Sequence, residues 1–372
     1  MISKRFMPAC VAFAAALTLA ACGASNEEEP TNTPAAGGES TPAAEELEGN
    51  IAGAGASSQE AAMQAWIAGF GEANPGATIS YDPVGSGGGR EQFVAGGTAF
   101  GGTDAHLADE ELTGAQERCG GPDNLIEIPA YISPIAVIYN LEGVDNLQLS
   151  PETVAKIFKQ EIKTWDDAAI KADNPDAQLP SDRITVVNRA DESGTTENFV
   201  EYLAAVAPDV WDFEISGDWP VKGGEAAQGT SGVVDAVKAG AGAIGYADAS
   251  QAGELGTASI KVGEEFVGPT PEAAAKIVEA SQETDDPGAH VFTYDLNRET
   301  TEAGTYPIVL VSYIMACTQY DDAAQGALVK GFINYIISPE GQEAAASNAG
   351  SAPISDAVRQ KVQPAVDAIA AS

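Results

Sequence analysis

Residues 184–206, with the sequence ITVVNRADESGTTENFVEYLAAV, decide the fold. The first four residues are apolar or β-branched and predict a short buried strand. Residues 189–196, RADESGTT, form a turn rich in hydroxyl side chains, and residues 198–206 have the apolar spacing of a helix. The stretch therefore predicts a strand that passes through a small-residue turn directly into a helix.

The same design precedes two other predicted helices. Residues 53–60, GAGASSQE, lead into a helix at residues 61–70, and residues 85–90, GSGGGR, follow a predicted strand that ends at Val84. A helix N-terminus offers unpaired N–H groups and the positive end of the helix dipole. Glycine lets the backbone approach an oxyanion closely, and Ser or Thr adds hydroxyl donors. One such turn is usually only a helix cap, but three together indicate a binding site for an oxyanion.

The remaining apolar segments continue the alternation of strands and helices. Strand-like runs occur at residues 126–139, 243–247 and 306–315, and residues 324–337 have helical spacing. This alternation predicts an α/β fold with open, mostly parallel sheets.

The N-terminus has the pattern of an export signal. Lys4 and Arg5 precede an apolar run at residues 11–21 that is too short to span a bilayer. The run ends in Leu-Ala-Ala-Cys, which resembles the lipobox of bacterial lipoproteins, with cleavage before Cys22 and a diacylglycerol and palmitate anchor on that cysteine. We therefore predict a lipoprotein signal peptide at residues 1–21 and attachment to the cell membrane by lipid. An ordinary secretory peptide with an incidental cysteine is the alternative.

The segment after the signal has the composition of a tether. Residues 22–49 are rich in Glu, Pro, Thr, Ser, Gly and Ala, which bury little surface, so we predict a disordered linker. Roughly 320 residues follow it, enough for two domains.

The charge of the chain limits its partners. The formal net charge is −37, which argues against nucleic acid and against anionic lipid surfaces. Membrane contact would therefore run through the N-terminal lipid only. Because salt screens long-range fields over about 8 Å, an enclosed anion site would depend on local dipoles rather than on net charge.

The cysteine count favours one disulfide. Cys10 leaves with the signal and Cys22 takes lipid, so Cys119 and Cys317 remain in an oxidising compartment. We predict that they are bridged, with two buried free thiols as the alternative.

Enzymatic chemistry has little support in the sequence. There is no GxxxxGK[ST] phosphate loop and no GxSxG nucleophile turn. His106 and His290 share no metal-ligand spacing. We therefore predict no catalytic residue, no metal and no cofactor, and we keep an enzyme acting on phosphoesters as the alternative from another class.

Four motifs together resemble the periplasmic phosphate-binding protein of the high-affinity phosphate ABC importer. They are residues 53–57 (GAGAS), 85–89 (GSGGG), 100–105 (FGGTDA) and 189–196 (RADESGTT), in the order and spacing of that family. The resemblance runs from about Ile51 into the C-terminal region. It implies an extracytoplasmic solute-binding protein that captures inorganic phosphate and delivers it to ABC transporter permease subunits.

The resemblance also implies an α/β, two-lobed periplasmic-binding-protein fold of the type II kind, with the ligand cleft between the lobes. Carried onto this chain, lobe I would comprise residues 50–130 and 307–372, and lobe II residues 131–306.

The family's ligand contacts can be transferred residue by residue. The implied phosphate-binding residues are Ser57, Ser58, Ser86, Asp104, Arg189, Ser193, Gly194 and Thr195. Arg189 matches the single guanidinium, and Asp191 matches a carboxylate that orients it. The family usually has Phe-Pro where this chain has Ser58-Gln59, a departure that bears on specificity.

The chemistry of these residues suits phosphate. Arginine forms bidentate bonds to tetrahedral oxyanions. Phosphate near neutral pH keeps a proton that Asp104 could accept, whereas sulfate has none to give. A receptor for sulfate, molybdate or another oxyanion, and a phosphate sensor or adhesion protein without a transport role, stay open as alternatives.

Overall fold

The computed structural model describes residues 47–284 and 288–370. The predicted signal peptide, Cys22 and all but the last three residues of the tether lie outside the described residues. Within the described part, no helix is both long and apolar enough to cross a membrane.

The described strands vary greatly in length, and the two longest are β4, with 15 residues, and β15, with 9. The strands are β1 (Gly49–Gly55), β2 (Ala77–Asp82), β3 (Phe100–Thr103), β4 (Leu125–Tyr139), β5 (Gln148–Leu149), β6 (Thr185–Arg189), β7 (Glu225–Ala227), β8 (Ala243–Asp248), β9 (Gly256–Thr257), β10 (Ser259–Val262), β11 (Glu265–Val267), β12 (Gln282–Glu283), β13 (His290–Val291), β14 (Tyr294–Asp295) and β15 (Val309–Cys317).

The described α-helices mostly follow strands, as the sequence predicts. The helices are α1 (Glu60–Ala73), α2 (Ser86–Val94), α3 (Asp109–Cys119), α4 (Pro151–Phe158), α5 (Ala168–Asp173), α6 (Gly194–Val206), α7 (Gly229–Ala239), α8 (Pro271–Glu279), α9 (Ala323–Ile337), α10 (Pro339–Ala349) and α11 (Asp356–Asp367).

Most of the strands belong to one large sheet, in the order β2-β1-β3-β15-β4-β8-β6-β7. Its flanks are parallel: β1 pairs in parallel with β2 and β3, and β6 with β7 and β8. Its centre is antiparallel, because β15 pairs antiparallel with β3 and β4, and β4 with β8. The expectation of mostly parallel sheets is therefore wrong for the centre, where long strands run in opposite directions between the flanks.

Strand β4 belongs to both parts of the sheet. Its residues 125–134 pair with β15, and its residues 135–139 pair with β8. We call β1–β3 with their helices the first half, and β6–β8 with theirs the second half. The predicted fold, α/β and of the two-lobed periplasmic-binding-protein type, is confirmed, and the residue limits predicted for its lobes stay a prediction.

Strand β4 is buried along its entire length, and a strand buried on both faces is expected to be almost continuously apolar. It nevertheless contains Pro129, which pairs with Tyr313 next to a register shift in β15. Proline lacks an N–H for the ladder, so a bulge is where a sheet tolerates it.

A disulfide joins Cys119, at the end of α3, to Cys317, at the end of β15, with 5.2 Å between the Cα atoms. Both cysteines pack with Phe93, Leu125 and Met315 in a small apolar cluster. The bridge therefore ties a helix of the first half to the central strand β15 and does not reach the second half.

Candidate functional site

The three predicted turns meet where the two halves of the sheet face each other. β1 ends at Gly55 before α1, α2 begins at Ser86, and α6 begins at Gly194 after β6. Parallel strands that carry helices at their carboxyl ends place those helix N-termini at one edge of the sheet. The predicted residues Ser57, Ser58, Ser86, Asp104, Arg189, Ser193, Gly194 and Thr195 are all buried at this meeting point.

Arg189 is the cationic group of this site, and its side chain is held on one side. Its Nε donates to Asp191 Oδ1 at 2.8 Å, and its Nη2 bonds Asp191 Oδ2. The N–H of Gly229 donates to the same Oδ1 at 3.0 Å. Asp191 therefore lies where it can fix the orientation of the guanidinium.

Tyr246 supports the backbone of the same turn. Its hydroxyl accepts the N–H of Arg189 at 3.3 Å and lies 2.7 Å from the hydroxyl of Thr196. Burial raises the pKa of Tyr246 to about 12, so the phenol stays protonated and available as a donor. The aromatic ring packs on Phe199 of α6, which ties the end of β6 to the start of the helix.

Asp104 follows β3 and is surrounded by hydroxyl groups from several segments. Its Oδ1 accepts from Ser58 Oγ at 2.6 Å and from Ser312 Oγ at 2.5 Å, and its Oδ2 accepts from Thr195 Oγ1 at 2.9 Å. Its backbone N–H donates to Ser86 Oγ at 3.1 Å. Within the described residues this carboxylate has no cationic partner, although only 3% of the residue is exposed. A buried carboxylate of this kind is stabilised by neutral donors alone.

Gly194 allows the two halves to approach each other at this point. A Cβ at Gly194 would lie 2.7 Å from Ser86 Oγ and 2.8 Å from Asp104 Cβ. Any side chain there would hold α6 away from the first half, so the glycine is required for the contact.

The N-terminus of α6 is directed at the same place. Ser193 caps the helix by accepting the N–H of Thr196 at 3.2 Å. The first N–H groups of a helix have no intrahelical partner, so those of Gly194 and Thr195 are available to donate to an anion. The sequence therefore places hydroxyl, N–H and dipole donors in one short turn.

Ser58 contacts Asp104 directly and takes part in a wider chain of hydrogen bonds. Gln59 Nε2 donates to Ser312 Oγ at 2.6 Å and to the carbonyl of Tyr313 at 3.1 Å, and Ser312 in turn donates to Asp104. The Ser58-Gln59 pair therefore uses its side chains to hold the carboxylate, whereas the Phe-Pro of the resemblance has no such groups to offer.

Sequence reasoning missed Thr230 and Gly229, at the start of α7. The N–H of Thr230 donates to Ser57 Oγ at 3.0 Å, and its hydroxyl lies 3.0 Å from the same oxygen. A signal was present, because residues 228–232, QGTSG, follow β7 and lead into a helix as the other three turns do. Ser312 gave no such signal, since it lies alone within an apolar strand.

A separate cavity of about 140 Å³ adjoins Asp104 but has the wrong charge for an anion. Its walls include Glu197, Glu201 and Asp295. Arg298, also in the wall, is already paired with Glu201 at 2.9 Å and donates to the carbonyl of Val309 at 2.6 Å. An anion is therefore better placed beside Arg189.

The described residues contain no group of three or more His, Cys, Asp or Glu side chains able to hold a metal ion. His106 lies in the wall of the acidic cavity, and burial lowers its pKa. The chemistry that the site supports is recognition of a tetrahedral oxyanion by one guanidinium, hydroxyl groups and backbone N–H groups.

Comparisons with known proteins identify relatives of this chain. A model of the PBP superfamily domain matches residues 33–340. The chain is similar to phosphate-binding protein PstS 3 of Mycobacterium tuberculosis, with 36% identity over 96% of each chain. It is also similar to phosphate-binding protein PstS of Xylella fastidiosa, with 33% identity over 86% of each chain.

A solved structure shows the same fold. It is a high affinity periplasmic phosphate-binding protein, PfluDING, determined with bound phosphate at pH 8.5. The TM-score is 0.69 at 24% identity, over 85% of this chain and 93% of the other. The chain therefore belongs to the PstS phosphate-binding proteins of the PBP superfamily.

Proposed function

We propose that the protein captures inorganic phosphate between the two halves of the sheet and is the substrate-binding protein of a phosphate ABC transporter. The observation that carries the proposal is the guanidinium of Arg189, held by Asp191 beside Gly85 of the first half, in the turn whose Thr195 hydroxyl donates to Asp104. The relatives named phosphate-binding protein PstS and the phosphate-bound structural neighbour support the same ligand.

Capture would use one full positive charge and many neutral donors. Arg189 binds two phosphate oxygens through its planar fork, and the N-terminus of α6 with Ser57 and Ser86 supplies the remaining hydrogen bonds. Because most of these donors are neutral, the ligand can leave when the cleft opens without the separation of several ion pairs. A transport protein needs that property, since it must release what it binds.

Asp104 would give the site its preference for a protonated anion. An ionised carboxylate has about four acceptor positions, and the hydroxyls of Ser58, Ser312 and Thr195 occupy three of them. The remaining position can accept the proton of phosphate. A fully ionised anion such as sulfate would offer no proton and would be repelled.

The proposed role is non-catalytic and extracytoplasmic. We propose that the mature protein is anchored by lipid at Cys22 and passes phosphate to permease subunits. Cys22→Ala should then move the protein from the membrane fraction to the soluble fraction without changing its phosphate affinity. If the variant stays firmly membrane-bound, Cys22 is not the anchor.

Equilibrium dialysis of the purified full chain against radiolabelled phosphate tests the binding function. We expect saturable binding of one phosphate per chain, displaced by unlabelled phosphate. A cell that lacks the gene should also take up less phosphate at low external concentration. No saturable binding would refute the proposal, and binding without an uptake defect would favour a sensor.

A further inference from the structure

A buried arginine beside the cleft pairs with two carboxylates. Arg90 lies on α2, and only 4% of it is exposed. Its Nε contacts Glu111 Oε2 at 2.8 Å, its Nη2 contacts Glu192 Oε1 at 2.7 Å, and its Nη1 donates to Thr103 Oγ1 at 3.1 Å. The cation therefore lies within 3.1 Å of three oxygens, two of them charged.

The two carboxylates come from different halves of the sheet. Glu111 lies on α3, in the same half as Arg90. Glu192 lies in the turn between β6 and α6, in the second half. One ion pair of Arg90 is thus internal to the first half, and the other crosses the cleft.

The glycine-rich turn is shaped to admit Glu192. A Cβ at Gly87 would lie 2.3 Å from Glu192 Oε2, and the N–H of Gly87 contacts the carbonyl of Glu192 at 3.4 Å. Residue 87 must therefore lack a side chain for the carboxylate to reach Arg90. Glu192 lies between Asp191 and Ser193 in the sequence, so it moves together with the turn that holds the proposed binding residues.

We propose that Glu192 is a positioning residue that latches the closed cleft by pairing with Arg90. The proposal rests on the proposed function, because it concerns how long phosphate is held. A contact made only when the halves meet favours the closed state by its full free energy. The Arg90–Glu111 pair can form whether the cleft is open or closed, so it has no such effect.

Long-range electrostatics and the latch predict opposite changes in phosphate affinity when Glu192 loses its charge. Glu192 is a carboxylate next to a site for an anion, so removing its charge should strengthen phosphate binding through the field alone. The latch predicts weaker binding and faster release. The direction of the change therefore separates the two explanations.

The experiment compares the parent with Glu192→Gln and the matched control Glu111→Gln. Each variant removes one negative charge and one partner of the same arginine, and each leaves Arg90 with a second carboxylate. Release of radiolabelled phosphate is timed after an excess of unlabelled phosphate is added. We expect the release rate to rise about threefold to tenfold in Glu192→Gln and to change less than about twofold in Glu111→Gln.

Two results would overturn the latch. The first is unchanged or slower release in Glu192→Gln, and the second is an equal acceleration in both variants. If the parent binds no phosphate, the proposed function fails, and the latch is judged by small-angle scattering on the ligand-free proteins. A larger radius of gyration in Glu192→Gln alone would then support it, and identical radii would reject it.

Discussion

Two carboxylates lie in the cleft, Asp104 buried and Asp191 partly buried, and their surroundings differ completely. Asp191, in the second half, accepts from the guanidinium of Arg189 and from the N–H of Gly229. Asp104, in the first half, accepts from three hydroxyl groups and has no cation among its described partners. The same chemical group is therefore placed once against a charge and once among neutral donors.

The difference assigns separate tasks to the two carboxylates. A carboxylate paired with a guanidinium fixes the position of that cation and offsets its charge. A carboxylate held by hydroxyls still has an oxygen position free to accept a proton, so it can distinguish a ligand that brings one. We infer that the Asp191 side of the cleft sets affinity, and that the Asp104 side sets selectivity.

Removal of Arg189 should have the largest effect on binding. Arg189→Ala takes away the bidentate donor and leaves Asp191 without its cation, so phosphate binding should weaken by about 2–5 kcal/mol. Isothermal titration measures this loss. Arg183→Ala, at an exposed position of the second half, is the control and should bind like the parent. A loss of less than about tenfold, or roughly 1.4 kcal/mol, would place Arg189 outside the site.

The role of Asp104 is tested by the selectivity of the site between phosphate and sulfate. Asp104→Asn keeps the shape, removes the charge and adds a donor, so repulsion of a fully ionised anion should disappear. We expect sulfate, which the parent should not detectably bind, to bind with an affinity at least about tenfold above the detection limit of the titration, or roughly 1.4 kcal/mol. Competition titrations at fixed ionic strength provide the measurement. A folded variant that rejects sulfate as strongly as the parent would show that Asp104 is not the discriminator.

The Asp191 side should respond differently to the same chemical change. Asp191→Asn removes the charge that orients Arg189, so phosphate affinity should fall about tenfold, the size of a partly exposed charged hydrogen bond. Sulfate binding should not appear, because Asp104 is untouched. The two Asn variants are measured side by side in the same titrations. If both Asn variants gain sulfate binding equally, the two carboxylates do not have separate roles.

The disulfide should matter least for binding. Cys119→Ser combined with Cys317→Ser opens a loop with a sequence separation of 198 residues, which should lower the free energy of unfolding by about 5 kcal/mol in the chain-entropy model. Both residues lie in an apolar cluster away from the cleft turns, so phosphate affinity should change less than about twofold. Urea denaturation and titration check the two expectations. A large loss of affinity in the folded variant would mean that the bridge shapes the cleft.

Local patterns predicted the elements that form the cleft. The strand, turn and helix expected in residues 184–206 correspond to β6 and α6. Such features depend on neighbouring residues, namely apolar spacing, glycine and hydroxyl side chains at a helix start. The order of these motifs along the chain resembles that of the phosphate-binding family, and this resemblance predicted that the distant turns meet at one site.

Contacts between distant segments could not be predicted in the same way. Ser312 meets Asp104 across 208 positions, and Thr230 meets Ser57 across 173 positions. A single hydroxyl within an apolar strand has no local signature, since its role depends on which strand lies beside it. The antiparallel centre of the sheet was missed for a related reason, because strand direction depends on the path of the chain and not on composition.

Isothermal titration of the full chain with phosphate, arsenate and sulfate, at one pH and ionic strength, tests whether the site recognises a protonated oxyanion. We expect phosphate and arsenate, which both retain a proton near neutral pH, to bind with a stoichiometry of one. We expect no detectable binding of sulfate, which has the same shape but no proton for Asp104. Sulfate binding comparable to that of phosphate would refute the proposed role of Asp104, and the absence of phosphate binding would refute the proposed function.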